Sequence, residues 1–174
     1  MLARSDAAAG LVVGEGVELA EDVVFGPHVI VEDGVRVGAG SVVLGHATLR
    51  AGTALGPACT VEEGAVVGKA PRLSARSTAT RELPPAAELG AGVTVCAGAI
   101  VYAGVRLGDG VIVGDQAQVR ERTAIGAGSV VGRATGVDND VRVGERVKLQ
   151  SGVYVTAYSV VEDDVFVGPC AMTT

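Results

Sequence analysis

The chain of 174 residues carries two histidines, His28 and His46, which stand 18 residues apart. An imidazole titrates near neutral pH, so either could serve as a general base that relieves a nucleophile of its proton. A second set suits anions. Lys69, Arg72, Arg76 and Arg81 all lie in the stretch KAPRLSARSTATRELPPAAE, residues 69–88, and such groups make charge-assisted bonds to phosphate oxygens. A third set mixes hydrogen-bonding groups: Arg50, Tyr102, Arg120 to Arg122, Asp138 to Asp140 and Thr156 to Tyr158. These residues are scattered along most of the chain, so they form one site only if the backbone brings them together. Metal chemistry has little to work with. Two histidines cannot supply the three-histidine set of a carbonic-anhydrase-like zinc site, and Cys59, Cys96 and Cys170 form no CxxC pair. No metal is expected.

The element that must position these groups is a six-residue repeat. From Val13 every sixth residue is apolar as far as Val67, and from Leu89 every sixth is apolar as far as Val167. All 24 positions of this register hold Val, Leu, Ile or Phe although only 48% of the chain is hydrophobic, a regularity that neither a helical period nor strand alternation produces. Four residues after each stands a small or β-branched residue, such as Val29, Ser41, Ala47 or Thr53. Three residues after it there is usually Gly or Asp, as at Gly34, Gly40 and Asp140. Gly at that place predicts a corner with φ > 0. Each hexad then reads as a short strand and a corner, and such units bury their aliphatics only by stacking into a β-solenoid. Three hexads make a triangular coil. Eight coils at about 4.8 Å each give an all-β prism roughly 40 Å long. With two Phe, three Tyr and no Trp, the core must be aliphatic. The chain reads as a single β-helix domain over residues 1–174, with coils at 13–68 and 89–174 and an extruded loop at 69–88.

Residues 18 apart should stack. The outward residues of the second face then read Val24, Val42, Thr60, Thr94, Ile112, Val130, Lys148 and Phe166; those of the first read Glu18, Arg36, Ala54, Arg72, Arg106, Ala124, Arg142 and Val160. The apolar stripe marks an interaction surface, unless it reflects only the strand preference of β-branched residues. The corner column assigned to the first face holds Arg50, Lys69, Tyr102, Arg120 to Arg122, Asp138 to Asp140 and Thr156 to Tyr158. It adjoins the loop and is the expected small-molecule site, although charges on a solvated edge are ordinary. The second-face column is glycine-rich, from Gly38 to Gly144. The third-face column holds His28 and His46, predicted to stack, with Asp115 and Gln116 further along. Both histidines fall on the φ > 0 position, where His is enriched for conformational reasons alone.

The hexad pattern resembles that of the left-handed β-helix acyltransferases, and the resemblance is what supplies the handedness. Several stretches are similar to nucleotide-sugar N-acetyltransferases acting on dTDP-linked 3-amino-3,6-dideoxyhexoses: VVGKAPRL with RELPPAAELG, AIVYAG, VGDQAQVRE, VDND and VKLQSGVYVTAYSVVEDDVFVGP, in unbroken order over 66–169. The resemblance implies acetyl transfer from acetyl-CoA to a sugar amine, and a homotrimer. The residues that match motif positions are Asp115, Gln116, Arg120, Glu121, Asp138, Asn139, Gln150, Tyr154 and Tyr158. In this reading Asp138 and Glu121 hold or deprotonate the amine, with His46 as a further catalytic candidate. Arg120, the tyrosines (Tyr102 among them), Lys69 and Arg72 bind nucleotide or pyrophosphate.

Two departures qualify the expectation. Ser151 and Gly152 replace a Thr-Asn pair, and the chain ends at Thr174 where the family continues with further coils, which reads as a truncation or a short relative. Alternatives are an acyltransferase for another acceptor, a sugar hydroxyl or different amine, and a non-catalytic solenoid scaffold. A net charge of −6, with no basic patch, argues against nucleic acid as partner. No apolar run is long enough to span a membrane, and a cytoplasmic location is expected.

Overall fold

The computed structural model describes residues 3–4, 8–77 and 80–174; the rest of the N-terminus and Thr78–Ala79 of the loop lie outside the described residues. Away from the loop exit each hexad forms a two-residue strand whose first side chain points outward and whose second points in. Val42 is half-buried beside a fully buried Val43, and four residues on Ala47 is buried as well. The corners turn through the left-handed region. Gly34 and Gly40 take φ of 66° and 68°, and the non-glycines His28, His46, Gln116, Arg122 and Asp140 take 58°, 61°, 58°, 59° and 58°. No described helix is long and apolar enough to cross a membrane.

Successive strands visit three sheets in turn, so the repeat strands of each sheet are parallel and neighbours are 18 residues apart, as in Val24↔Val42 and Ile30↔Thr48, or 34 apart across the loop, as in Thr60↔Thr94. The second-face sheet runs from Val24–Phe25 to Phe166–Val167, with Ala3–Arg4 added antiparallel at its start. Its outward residues are those the face periodicity predicts. The first-face sheet runs from Glu18–Leu19 to Val160–Val161 and the third-face sheet from Val12–Val13 to Tyr154–Val155. Between them lies one aliphatic core. Phe25, Leu49, Val61, Val113 and Leu149 are fully buried, whereas Val13 is 47% exposed and Val161 and Val167 are only partly covered, because the end coils have a neighbour on one side alone.

Two sequence expectations need correction. Arg72 does not stand on the first face: the chain leaves the solenoid before that coil's first-face strand, so Glu88, after the loop, pairs between Ala54 and Arg106. The corner columns have the membership expected but are displaced by one face each, because a corner closes the strand that precedes it. Arg50, Lys69, Arg120 and Asp138 follow the third-face strands, the glycine column follows the first, and the histidines follow the second.

The loop exit is built by Val66–Lys69, a strand longer than its neighbours, which pairs with Ile100–Tyr102 through a register shift between Val67 and Lys69. Gly68 sits at that bulge with φ 85°, and a Cβ there would lie 2.3 Å from the Thr53 hydroxyl. The loop leaves a mark on the core. Elsewhere, inward hydroxyls bridge to the next coil. Ser129 donates to the Gly144 carbonyl (2.8 Å) and accepts from Val147 N–H (2.9 Å), and Thr123, Thr135 and Ser41 do the same in their own coils. Thr53 is equally buried, but the carbonyl that should face it belongs to the diverted strand end, and its Oγ1 has no partner. Thr53→Val should therefore raise stability by about 1 kcal/mol in urea unfolding, since it removes an unsatisfied hydroxyl while keeping shape. The same change at Ser129, whose hydroxyl is satisfied twice, should lower it.

Candidate active site

The 18-residue coil places side chains from adjacent turns of one corner in contact, and the corner after the third-face sheet uses this repeatedly. Arg50 pairs with Glu32, Arg120 with Asp138 and Arg122 with Asp140, each 18 residues apart. At its centre Glu121 is buried to 0% exposure. Arg120 donates to both of its oxygens, from Nε at 3.1 Å and Nη2 at 2.9 Å, and Arg122 lies 4.0 Å away. The remaining Nη1 of Arg120 reaches Asp138 Oδ1 at 3.4 Å, and the Tyr154 hydroxyl donates to Asp138 Oδ2 at 2.9 Å. Asp138 is thus held from both sides while its side chain stays 21% exposed. Burial works against the Arg120 charge, but its bonds to Glu121 and the charges of Glu121 and Asp138 outweigh it and hold the guanidinium above its usual range. The bond to Asp138, with burial and the carboxylate's charge, pushes the Tyr154 phenol up, so Tyr154 remains the donor.

Beside this group Lys69 Nζ donates to the Tyr102 hydroxyl at 3.2 Å and lies 5.0 Å from its ring centre, with the Arg120 guanidinium 5.8 Å away on the same ring. Gln118 donates to that hydroxyl at 2.9 Å. Gln118 was not among the residues expected from sequence; its only signal was its outward place on the third face, one coil from Tyr102. The loop folds back across Gly104, where an added Cβ would meet Pro84 at 2.8 Å. Under the loop is a cavity of about 690 Å³ whose lining includes Glu32, Arg50, Lys69, Arg72, Leu83 and Ala103.

Arg122 and Asp140 form a two-point pair at 2.7 and 2.8 Å, and Asn139 donates to Asp140 at 2.7 Å. The Arg122 bonds hold the Asp140 carboxyl below its usual range, against a smaller effect of burial. A depressed folded value means that the pair stabilises the protein above the unfolded value of about 3.9 and loses that contribution as pH falls through the folded one. Arg122→Gln should move the carboxyl ¹³C titration of Asp140 up towards about 3.9 and lower stability at neutral pH, with the two proteins converging in strong acid.

The profile of the family described as "Hexapeptide repeat of succinyl-transferase" matches residues 28–69 and 121–157. Among solved structures the fold is similar to a UDP-N-acetylglucosamine acyltransferase from Bacteroides fragilis (TM-score 0.87, 17% identity, 97% of this chain and 67% of that one) and to a UDP-N-acetylglucosamine O-acyltransferase from Moraxella catarrhalis (0.86, 17%, 95% and 65%). The UDP-N-acetylglucosamine acyltransferase from Campylobacter jejuni is similar at TM-score 0.66 and 20% identity, over 85% of this chain and 66% of that one. This chain is a left-handed β-helix of hexapeptide repeats. It spans about two thirds of the length of these structures. No curated protein matches its sequence significantly.

The β-helix divides the expected site residues between two corners. Lys69, Tyr102, Arg120, Glu121, Asp138, Asn139 and Tyr158 share the loop corner, Arg72 lies in the loop, and Tyr154 projects from the adjoining third-face strand. His46, Asp115, Gln116 and Gln150 belong to the corner after the second-face strands. There the His28 and His46 rings stack at 5.1 Å between centres, both side chains exposed, as the 18-residue spacing predicts. Asp115 approaches Glu62 and Cys96, the one group of three possible metal ligands among the described residues, with donor atoms within 4.8 Å. Burial first, then the Glu62 and Asp115 charges, push the Cys96 thiol up and away from the thiolate that ligation needs.

Proposed function

We propose that this β-helix is a CoA-dependent N-acetyltransferase and that the loop corner binds the amine of a nucleotide-linked amino sugar. The observation that carries the reading is Asp138, a partly exposed carboxylate fixed by Arg120 and Tyr154 on the corner from which the loop leaves, two coils along from Tyr102. In the reaction the neutral amine nitrogen attacks the thioester carbonyl of acetyl-CoA, so a C–N bond forms. Asp138 accepts the amine proton as the C–S bond breaks, and that proton passes on to the leaving thiolate, which gives free CoA and restores the carboxylate. Glu121, with no exposed surface and both oxygens engaged, acts in this reading through Arg120 as a positioning residue, where the sequence had it hold or deprotonate the amine beside Asp138. Lys69, Arg72, Arg120 and the tyrosines suit the nucleotide and its diphosphate.

His46, Asp115, Gln116 and Gln150, at the other corner, touch none of the Asp138 group in a single chain and stand in this reading as contacts to the second substrate. The second-face stripe, with Ile112 41% and Phe166 65% exposed, supports association of copies, and we read the assembly as a homotrimer. Three free cysteines fit a reducing, cytoplasmic setting. Calorimetry with acetyl-CoA and with dTDP-linked amino sugars tests the reading, and the chain should bind both. Binding of neither would leave a scaffold as the function. A panel of hydroxyl and amine acceptors with acetyl-CoA should give product with the amines.

A further inference from the structure

On the outer surface of the first-face sheet Arg106, Ala124 and Arg142 are successive rungs. Rungs of a parallel ladder are about 4.8 Å apart, so the arginines stand roughly 10 Å apart across a residue with no side chain beyond Cβ. The gap between them is a cavity of about 410 Å³ lined by Arg106, Ala124, Arg142, Arg122, Gly104 and Pro85, with Thr123 at its base. Three guanidinium groups line it and no carboxylate does. Arg142 makes no ion pair among the described residues, and Arg106 meets Glu88 only at 3.5 Å between exposed side chains. Arg122 spends Nε and Nη2 on Asp140, and its buried Nη1 has no hydrogen-bond partner. Arg142 is thus uncompensated, Arg106 is held only by a loose surface pair, and Arg122 keeps one N–H group to spare in a chain of net charge −6, and like charges gathered round one gap repel unless an anion lies between them.

We propose that this notch binds a phosphate or diphosphate group of a nucleotide. Two guanidinium forks carried on rungs roughly 10 Å apart can each make N–H···O contacts of about 2.8 Å to one phosphate held between them. Pro85, returning from the loop, closes one wall. The notch lies on the adjoining face from Asp138, beyond the Arg122–Asp140 pair, and it does not depend on the acetyl-transfer reading. Both substrates of that reading carry the group, as the diphosphate of a nucleotide sugar or the phosphates of CoA.

Inorganic pyrophosphate, titrated calorimetrically into the intact chain at low salt, is the probe. Arg106→Gln and Arg142→Gln, both at exposed positions, should each weaken binding about tenfold or more, and added salt should weaken it in the wild type. Arg36→Gln, on the same face outside the notch, should change nothing. Displacement of pyrophosphate by dTDP assigns the notch to the nucleotide sugar, and displacement by CoA assigns it to the acyl carrier. No binding by wild type, equal binding by Arg106→Gln and by Arg142→Gln, or displacement by neither nucleotide overturns the proposal. Acetyl transfer that persists without notch binding would leave the Asp138 reading standing, so the two fail separately.

Discussion

Asp138→Asn is expected to lower acetyl-transfer turnover about 10²- to 10⁴-fold, the range for removing a general base, while the melting temperature stays nearly unchanged. The amide is close to isosteric, its oxygen can still accept from Tyr154 or Arg120, and the position is partly exposed. What it loses is the ability to take a proton from the attacking amine. A loss confined to turnover, with binding of the sugar nucleotide retained, is the signature of a group that acts in the transition state. An unchanged turnover would remove Asp138 from the mechanism.

The second large effect is on stability. Arg120→Ala is expected to cost about 3 to 5 kcal/mol in urea unfolding, because Glu121 would be left as a buried carboxylate without its two-point partner. Arg122 lies 4.0 Å from Glu121, beyond hydrogen-bond reach, and its bonds to Asp140 hold it there. The double variant Arg120→Ala/Glu121→Gln should recover a large part of the loss, leaving a cost of about 1 to 3 kcal/mol for an imperfectly satisfied neutral amide. A single-variant cost below about 1 kcal/mol, as for a surface ion pair, would mean that Glu121 is not held as described. In the intact protein this pair fixes the guanidinium that Asp138 leans on, so the same substitution should also reduce turnover.

Much of this architecture is legible in the sequence because the hexad register ties each inward residue to a fixed partner. From the spacing of Val43, Val61 and Val95 one can write the second-face sheet, its apolar stripe and the stacking of His28 on His46, and from Lys69 to Glu88 one can place the extrusion. Contacts that arise only where the loop departs from the repeat are not legible. Arg72 was misplaced because counting by 18 continues through residues that have left the solenoid, whereas Glu88 takes the rung. The orphan hydroxyl of Thr53 has the same origin: the hexad pattern gives it the role of Ser41 or Ser129, and only the diverted end of Val66–Lys69 denies it a partner. Glu121 offered a similar trap. A corner glutamate reads as a solvated charge or a reactive one, and its burial depends on neighbours in other coils. Resemblance named Asp115 and Gln150 as substrate contacts beside Asp138, whereas counting by 18 already put Asp115 in the histidine column, the corner on which it stands in the structure.

In the proposed reaction the loop corner transfers an acetyl group to the amine of a nucleotide-linked amino sugar, with Asp138 receiving the proton. Mass spectrometry of reactions containing acetyl-CoA and candidate dTDP-amino sugars tests it most directly, run with wild type and with Asp138→Asn. The account predicts an N-acetylated sugar nucleotide and free CoA with wild type, and only trace product with the variant. Equal product from the two proteins, or no acetylated amine from wild type with any of the amino sugars, would contradict it.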